Sequence, residues 1–167
     1  NGPDGPLTSH LPLMLMKGDG QAQPDRLIGH LARPNMHWRE ASPTQDSVAI
    51  FHGPDAYVSP DWYPSKRAHG RVVPTWNYSV IHAAGRLIIH DDAEWLRTAV
   101  TQLTDRHEAS RSAPWAVSDA PEAFINGQLK GIVGVELVIA SLEGKVKLSQ
   151  NRSAEDQAGV IAGLGHE

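Results

Sequence analysis

Over its first two thirds the chain sustains no long apolar run; short hydrophobic stretches alternate with clusters of Gly, Pro, Asp and Asn. Such punctuation argues against a helical bundle and predicts short strands joined by turns. His10–Met16 (HLPLMLM) is predicted as a first strand, closed by the turn Lys17-Gly18-Asp19-Gly20, and Arg26–Ala32 (RLIGHLA) as a second. Asn35–Ala41 has room for one or two helical turns. Ser47–His52 is predicted as a third strand, followed by a Gly53-Pro54-Asp55 turn and a short strand at Ala56-Tyr57-Val58. The stretch from Pro60 to Pro74 holds three prolines and a glycine and is predicted as a loop.

Trp76–His90 (WNYSVIHAAGRLIIH) is the longest strand-like segment, rich in β-branched and aromatic residues. Gly85 in its middle predicts a bulge or a sharp coil of the sheet, the device by which small barrels turn corners. Asp91, with Glu94 three residues on, predicts a helix start, and Trp95, Leu96, Ala99, Val100 and Leu103 form one apolar stripe beyond it. A second helix is predicted from Pro121 to Leu129 with Phe124, Ile125 and Leu129 inward. Ile132–Ala140 and Lys145–Ser149 are predicted as the last strands, joined at Glu143-Gly144. Ser153 caps a final helix over 153–165 that buries Val160, Ile161 and Leu164. Helices are too few for a βαβ array and no internal repeat is present. The expectation is a single domain over 1–167, a mostly antiparallel barrel with peripheral helices.

Fifteen Lys and Arg against nineteen Asp and Glu give a net charge of −4, which argues against holding DNA by bulk electrostatics. The one basic concentration, Lys66, Arg67, His69 and Arg71, fits a solvated loop or a phosphate contact. The absence of cysteine excludes disulfides, a thiolate metal site and a cysteine nucleophile, and it fits a cytoplasmic location. No apolar run approaches the ~18 residues of a membrane span; the longest, Gly131–Ala140, is interrupted by Glu136.

The histidines at 10, 30, 52, 82 and 90 are spread over the predicted strands, with only His82 and His90 sharing one, and without metal-ligand spacing, so they read as strand histidines hydrogen-bonded at a rim or core. Convergence of His10, His30 and His82 stays open. Neither a phosphate-binding glycine loop nor a nucleophile elbow is present. The opening Asn1-Gly2-Pro3-Asp4-Gly5-Pro6 reads as a turn, as if the chain began inside a hairpin, and an upstream segment is expected.

Two segments are the candidates for chemistry. Ser59-Pro60-Asp61-Trp62-Tyr63-Pro64-Ser65-Lys66 and Val73-Pro74-Thr75-Trp76-Asn77-Tyr78 each set two aromatics among hydroxyl, amide and amine donors. They suit the walls of a flat anionic ligand, with Arg33, Asn35 or Lys66 for a phosphate, or equally the sealing of a barrel end or a dimer.

On these residues the chain resembles the PaiB family, described as FMN-binding negative transcriptional regulators. The matching stretches are Thr8-Ser9-His10-Leu11-Pro12, Gly29-His30-Leu31-Ala32-Arg33-Pro34-Asn35 with Trp38, and Phe51–Pro60 with Trp62-Tyr63. They continue through Val73–Tyr78 with His82 and Gly85, then Gly131-Ile132-Val133-Gly134 and Lys145–Arg152. The resemblance runs from about Thr8 to Gly159.

The resemblance implies a mainly β fold, the six-stranded antiparallel Greek-key split barrel that binds FMN, forming a homodimer with the flavin near the subunit interface. It also implies an N-terminal helix and first strand upstream of Gly5. By position, Ser9 and His10 are expected to line the flavin, and His30, Arg33 and Asn35 to meet the ribityl chain and phosphate. Thr75, Trp76, Asn77, Gln150 and Arg152 are expected to cover the ring from the same or the partner subunit. Three functions are consistent with this: a flavin-binding regulator, a flavin reductase or oxidase, and an interaction domain that has lost flavin. Direct DNA binding has no support in charge or motif. In the enzyme, His82 or Tyr78 is expected to stand free above the ring.

Overall fold

The computed structural model describes residues 2, 5–20 and 23–166. It is mainly β: one five-stranded antiparallel sheet in the order β1-β2-β5-β4-β3, with several helices. The strands are β1 (Met14–Met16), β2 (Arg26–Ala32), β3 (Ser47–Val58), β4 (Thr75–His90) and β5 (Ile132–Lys147). The helices are α1 (His37–Glu40), α2 (Pro64–His69), α3 (Ala93–Glu108), α4 (Glu122–Leu129) and α5 (Ala154–Leu164). Five strands are described where the split barrel expected six. Of the expected opening turn, Asn1, Pro3 and Asp4 lie outside the described residues; Gly2 and Gly5 form an antiparallel bridge.

The chain forms two compact units, one of Asn1–Val48 with Ala84–Ser141, the other of Ala49–Ala83 with Leu142–Glu167. In the first, β1 pairs with β2 (Met14 opposite Ile28) and β2 with β5 (Ile28 opposite Glu136). Helix α3 begins where Asp92, not Asp91, accepts a bond from the Trp95 N–H at 2.8 Å. Its stripe buries Leu96 with Val117, Ile125 and Leu129, and Ala99 with Met14 and Ile28. Each buried Leu, Ile, Val or Met side chain among these stabilises by about 1.5–3 kcal/mol. In the second unit, Val58, Tyr63 and Val160 form the core, with Trp62, Val72 and Leu164 against it. Ser153 caps α5 by accepting from the Asp156 N–H.

Several expectations are corrected. The first strand is only Met14–Met16, since Pro12 has no N–H to donate and its carbonyl lies against Gly29, where a Cβ would come to 2.8 Å. Gly53-Pro54 does not break β3, which is the last strand in the sheet order; an edge tolerates the donor that proline lacks. Glu143-Gly144 does not divide β5 either, because pairing along a long strand overrides a local turn preference. The Pro60–Pro74 stretch holds a 3₁₀ turn (Pro60–Trp62) and α2, both begun by a proline at the first helical position. Phe124 is 56% exposed and Ile161 73% exposed, so neither faces the core as expected. At Gly85 a Cβ would strike the Val138 carbonyl; the glycine serves a close backbone approach. No helix among the described residues is long and apolar enough to cross a membrane.

Candidate functional site

In the first unit the turn after β2 draws three predicted residues together with one that was not. Ser9 Oγ lies 2.9 Å from His37 Nδ1 and accepts from Asn35 Nδ2 at 3.0 Å, while Asn35 Oδ1 accepts from the His37 N–H. Burial holds the His37 imidazole below its usual range. Arg33 lies in the same turn, but its fork is committed within the protein. Its terminal nitrogens donate to both Asp91 oxygens, at 3.2 and 2.5 Å, and one also donates to the Ile132 carbonyl. Its Nε donates to the Lys130 carbonyl at 2.7 Å. The hydrogen bond to Asp91 raises the guanidinium's pKa and lowers that of the carboxyl. Trp38 donates to the Arg33 carbonyl and carries the Arg39 guanidinium 4.5 Å over its ring. His10 is exposed. His30, half-buried on β2, is held below the usual imidazole range by burial.

In the second unit β4 and β5 bring together Thr75, Asn77, Tyr78, Lys145 and Lys147. Lys147 Nζ donates to Thr75 Oγ1 at 2.5 Å. Both lysine ammonium groups stand 5.9 Å from the Tyr78 ring centroid. Among the described residues neither lysine has an acidic partner. Asn77, 6% exposed, accepts from the Ser149 hydroxyl at 3.0 Å. Ser149 is the one non-glycine residue at positive φ (62°) among the described residues, a conformation that costs energy and is frequent at functional sites.

Trp76 is 53% exposed and meets Tyr57 edge-on. Gln150 is closed on its own turn, donating to the Val146 carbonyl and accepting from the Leu148 N–H. Arg152 lies 4.7 Å over the Tyr63 ring. The basic concentration at Lys66 falls on α2, whose residues are largely exposed, and Lys66 is paired with Asp61. No group of three or more metal-ligating side chains converges among the described residues.

The sequence reading placed Tyr78 in a ligand wall but missed Lys145, Lys147 and Ser149 as candidate site residues. A signal was there: lysines two apart on one strand present the same face, and an unbroken β5 sets both beside Thr75. The donor set suits a phosphate, which takes ammonium and hydroxyl donors without an acidic competitor. The neutral Ser9–Asn35–His37 cluster offers no cation.

Residues 1–141 match the sequence family described as "Putative FMN-binding domain". The protease synthase and sporulation protein PAI 2 of Bacillus subtilis is 33% identical over 97% of this chain and 74% of its own length. An uncharacterized protein of Aspergillus fumigatus is 34% identical over 97% of this chain and 78% of its own. Among solved structures, the flavocytochrome Anf3 from Azotobacter vinelandii superposes with a TM-score of 0.54 at 15% identity, over 88% of this chain and 60% of that protein. This last likeness concerns the fold.

Proposed function

Because the chain belongs to the FMN-binding domain family matched over residues 1–141, with FMN as its cofactor, we propose that it is a homodimeric flavoprotein of the PaiB type, a negative regulator of transcription. The observation that carries the site is the pair Lys145 and Lys147, free of acidic partners among the described residues, with one of them bonded to Thr75 Oγ1. In this reading Lys145, Lys147 and Thr75 receive the FMN phosphate. The Ser149–Asn77 bond holds the β5 end in place, and the exposed Trp76 offers an apolar wall to the ring. Bound FMN supplies one- and two-electron redox chemistry at its ring. The protein's part is to hold and orient the cofactor.

The second copy is argued from the surface of the second unit. Ile50, Trp76, Ile81, Leu142, Val146 and Leu148 are each at least half exposed on or beside its strands, apolar side chains that a second copy would cover. Regulation is read as indirect, since a chain of net charge −4 offers no electrostatic footprint for DNA. One observation favours the oxidoreductase reading: neither the Tyr78 hydroxyl nor the His82 ring is hydrogen-bonded among the described residues, and both side chains are only half-buried.

The test is the absorbance spectrum of the purified protein before and after loading with FMN and dialysis. About one flavin per subunit is expected, lost in Lys145→Ala/Lys147→Ala with the fold intact. Each charge-assisted bond removed is worth about 1.5–3 kcal/mol, or roughly ten- to hundredfold in Kd. Full retention by the double variant discards the phosphate assignment. Bleaching of the bound flavin by NADH or NADPH decides for the oxidoreductase. Derepressed transcripts in cells carrying the double variant decide for the regulator.

A further inference from the structure

The first unit holds a cavity of about 150 Å³ between α3 and the β1-β2-β5 part of the sheet, in which the FMN reading has no role. Its apolar wall is made by Met16, Ile28, Trp95 and Ala99. Its polar wall is made by Arg26, Gln102 and Glu136. We propose that this cavity binds a small monocarboxylate with a compact apolar body, up to the size of benzoate, whose carboxylate takes the fork of Arg26.

The charges argue for an anion. Glu136 is only 8% exposed and projects from the middle of an otherwise apolar stretch of β5. A buried carboxylate needs partners, and it has two. One oxygen lies 2.7 Å from His90 Nε2, and the other 3.5 Å from an Arg26 terminal nitrogen. The His90 bond is short and its ring is fixed, stacked on Trp95 at 4.0 Å with the planes 5° apart. The Arg26 contact is long and single, and no other bond to its guanidinium exists among the described residues.

So Glu136 is anchored chiefly by His90, and the Arg26 fork is left with a geometry suited to a second, bidentate acceptor. Gln102, half-buried on the same wall, has no side-chain hydrogen bond among the described residues and offers its N–H to the same ligand. Glu136 lines the cavity too, so an ammonium ligand would meet a carboxylate as well as the Arg26 cation; it is the commitment of Glu136 to His90 that leaves Arg26, and not Glu136, open to a ligand. The volume sets the upper size: a cavity of about 150 Å³ accepts a six-membered ring. Trp95, which lines the cavity, lies so close over Gly134 that a Cβ there would strike the indole, so its present seat depends on that glycine.

The experiment is calorimetric titration of the FMN-loaded protein with sodium benzoate and sodium isovalerate, with benzylamine as the cationic comparison. Saturable binding of a carboxylate and none of benzylamine is expected. Arg26→Met, which keeps the aliphatic stem, is expected to weaken carboxylate binding at least about tenfold, as loss of a bidentate ionic contact does, without changing the flavin content. Gln102→Leu, on the helix face, is expected to weaken it less and serves if Arg26→Met does not fold. No saturable binding of either carboxylate, tighter binding of benzylamine, or full affinity in a folded Arg26→Met or Gln102→Leu protein overturns the proposal. The flavin spectrum is read in the same samples, so failure here is separable from failure of the FMN assignment.

Discussion

Tyr63→Phe is expected to make this protein more stable. Tyr63 is 1% exposed, and its hydroxyl has no hydrogen-bond partner among the described residues. Its ring packs with Val58 and Val160, flanked by Trp62, Val72 and Leu164, and lies under the Arg152 guanidinium at 4.7 Å. A buried hydroxyl stripped of water and left unbonded costs about 1–3 kcal/mol. Phenylalanine removes that cost and keeps the ring, its apolar contacts and its cation–π partner. Against this stand only the few dispersion contacts of one oxygen, each about 0.1–0.2 kcal/mol. The net expectation is a gain of about 1 kcal/mol, or roughly 2–4 °C in Tm for a chain of this length. Urea unfolding of wild type and variant, each with and without FMN, reads it as a higher midpoint at unchanged slope. A loss of about 1 kcal/mol or more would falsify the reasoning, because the hydroxyl would then have a partner in the folded protein.

Further outcomes are expected elsewhere. Gly134→Ala places a methyl group against the Trp95 indole in a packed core and is expected to lower stability by about 1–3 kcal/mol, visible in the same denaturation. Arg33→Lys keeps the charge but loses the fork that joins Asp91 to the Lys130 and Ile132 carbonyls; Tm should fall while flavin content stays, and loss of flavin from a folded variant would return Arg33 to the phosphate. The Asp156 carboxyl is held below its ordinary 3.8, first by the Ser65 hydroxyl, 2.7 Å away, and then by the Ser65 N–H. A lowered folded value contributes stability above pH 3.8 that is lost as pH falls through the folded value, so Asp156→Asn should flatten the acid limb of a Tm-against-pH curve.

Much of the fold was legible because its signals are local. Arg26–Ala32 has the length and apolar content of a strand, and its ends are where the sequence puts them. The aromatic and β-branched run to His90 begins one residue earlier than expected, at Thr75. The α3 stripe and the Ser153 cap need only a few residues to declare themselves, since helical periodicity and capping are settled within one or two turns. The candidate site was marked in part: Thr75, Asn77 and Asn35 stood out by their polar surroundings and Ser9 by the family resemblance, whereas Lys145 and Lys147 passed as the end of a strand.

What the chain determined by itself is the set of elements and the chemistry of their side chains. Which residues meet across long separations was decided by the sheet and the helices packed on it. Asp91 looked like a helix cap, yet it bonds Arg33, fifty-eight residues away, and leaves the cap to Asp92. Glu136 interrupted an apolar run, and only the register of β5 against β2, with His90 close by, gives that buried carboxylate its partners. Phe124 and Ile161 sit at helical positions that periodicity assigns to the core, yet both are exposed. Periodicity defines a face, but only packing against a neighbour determines how much of it is covered.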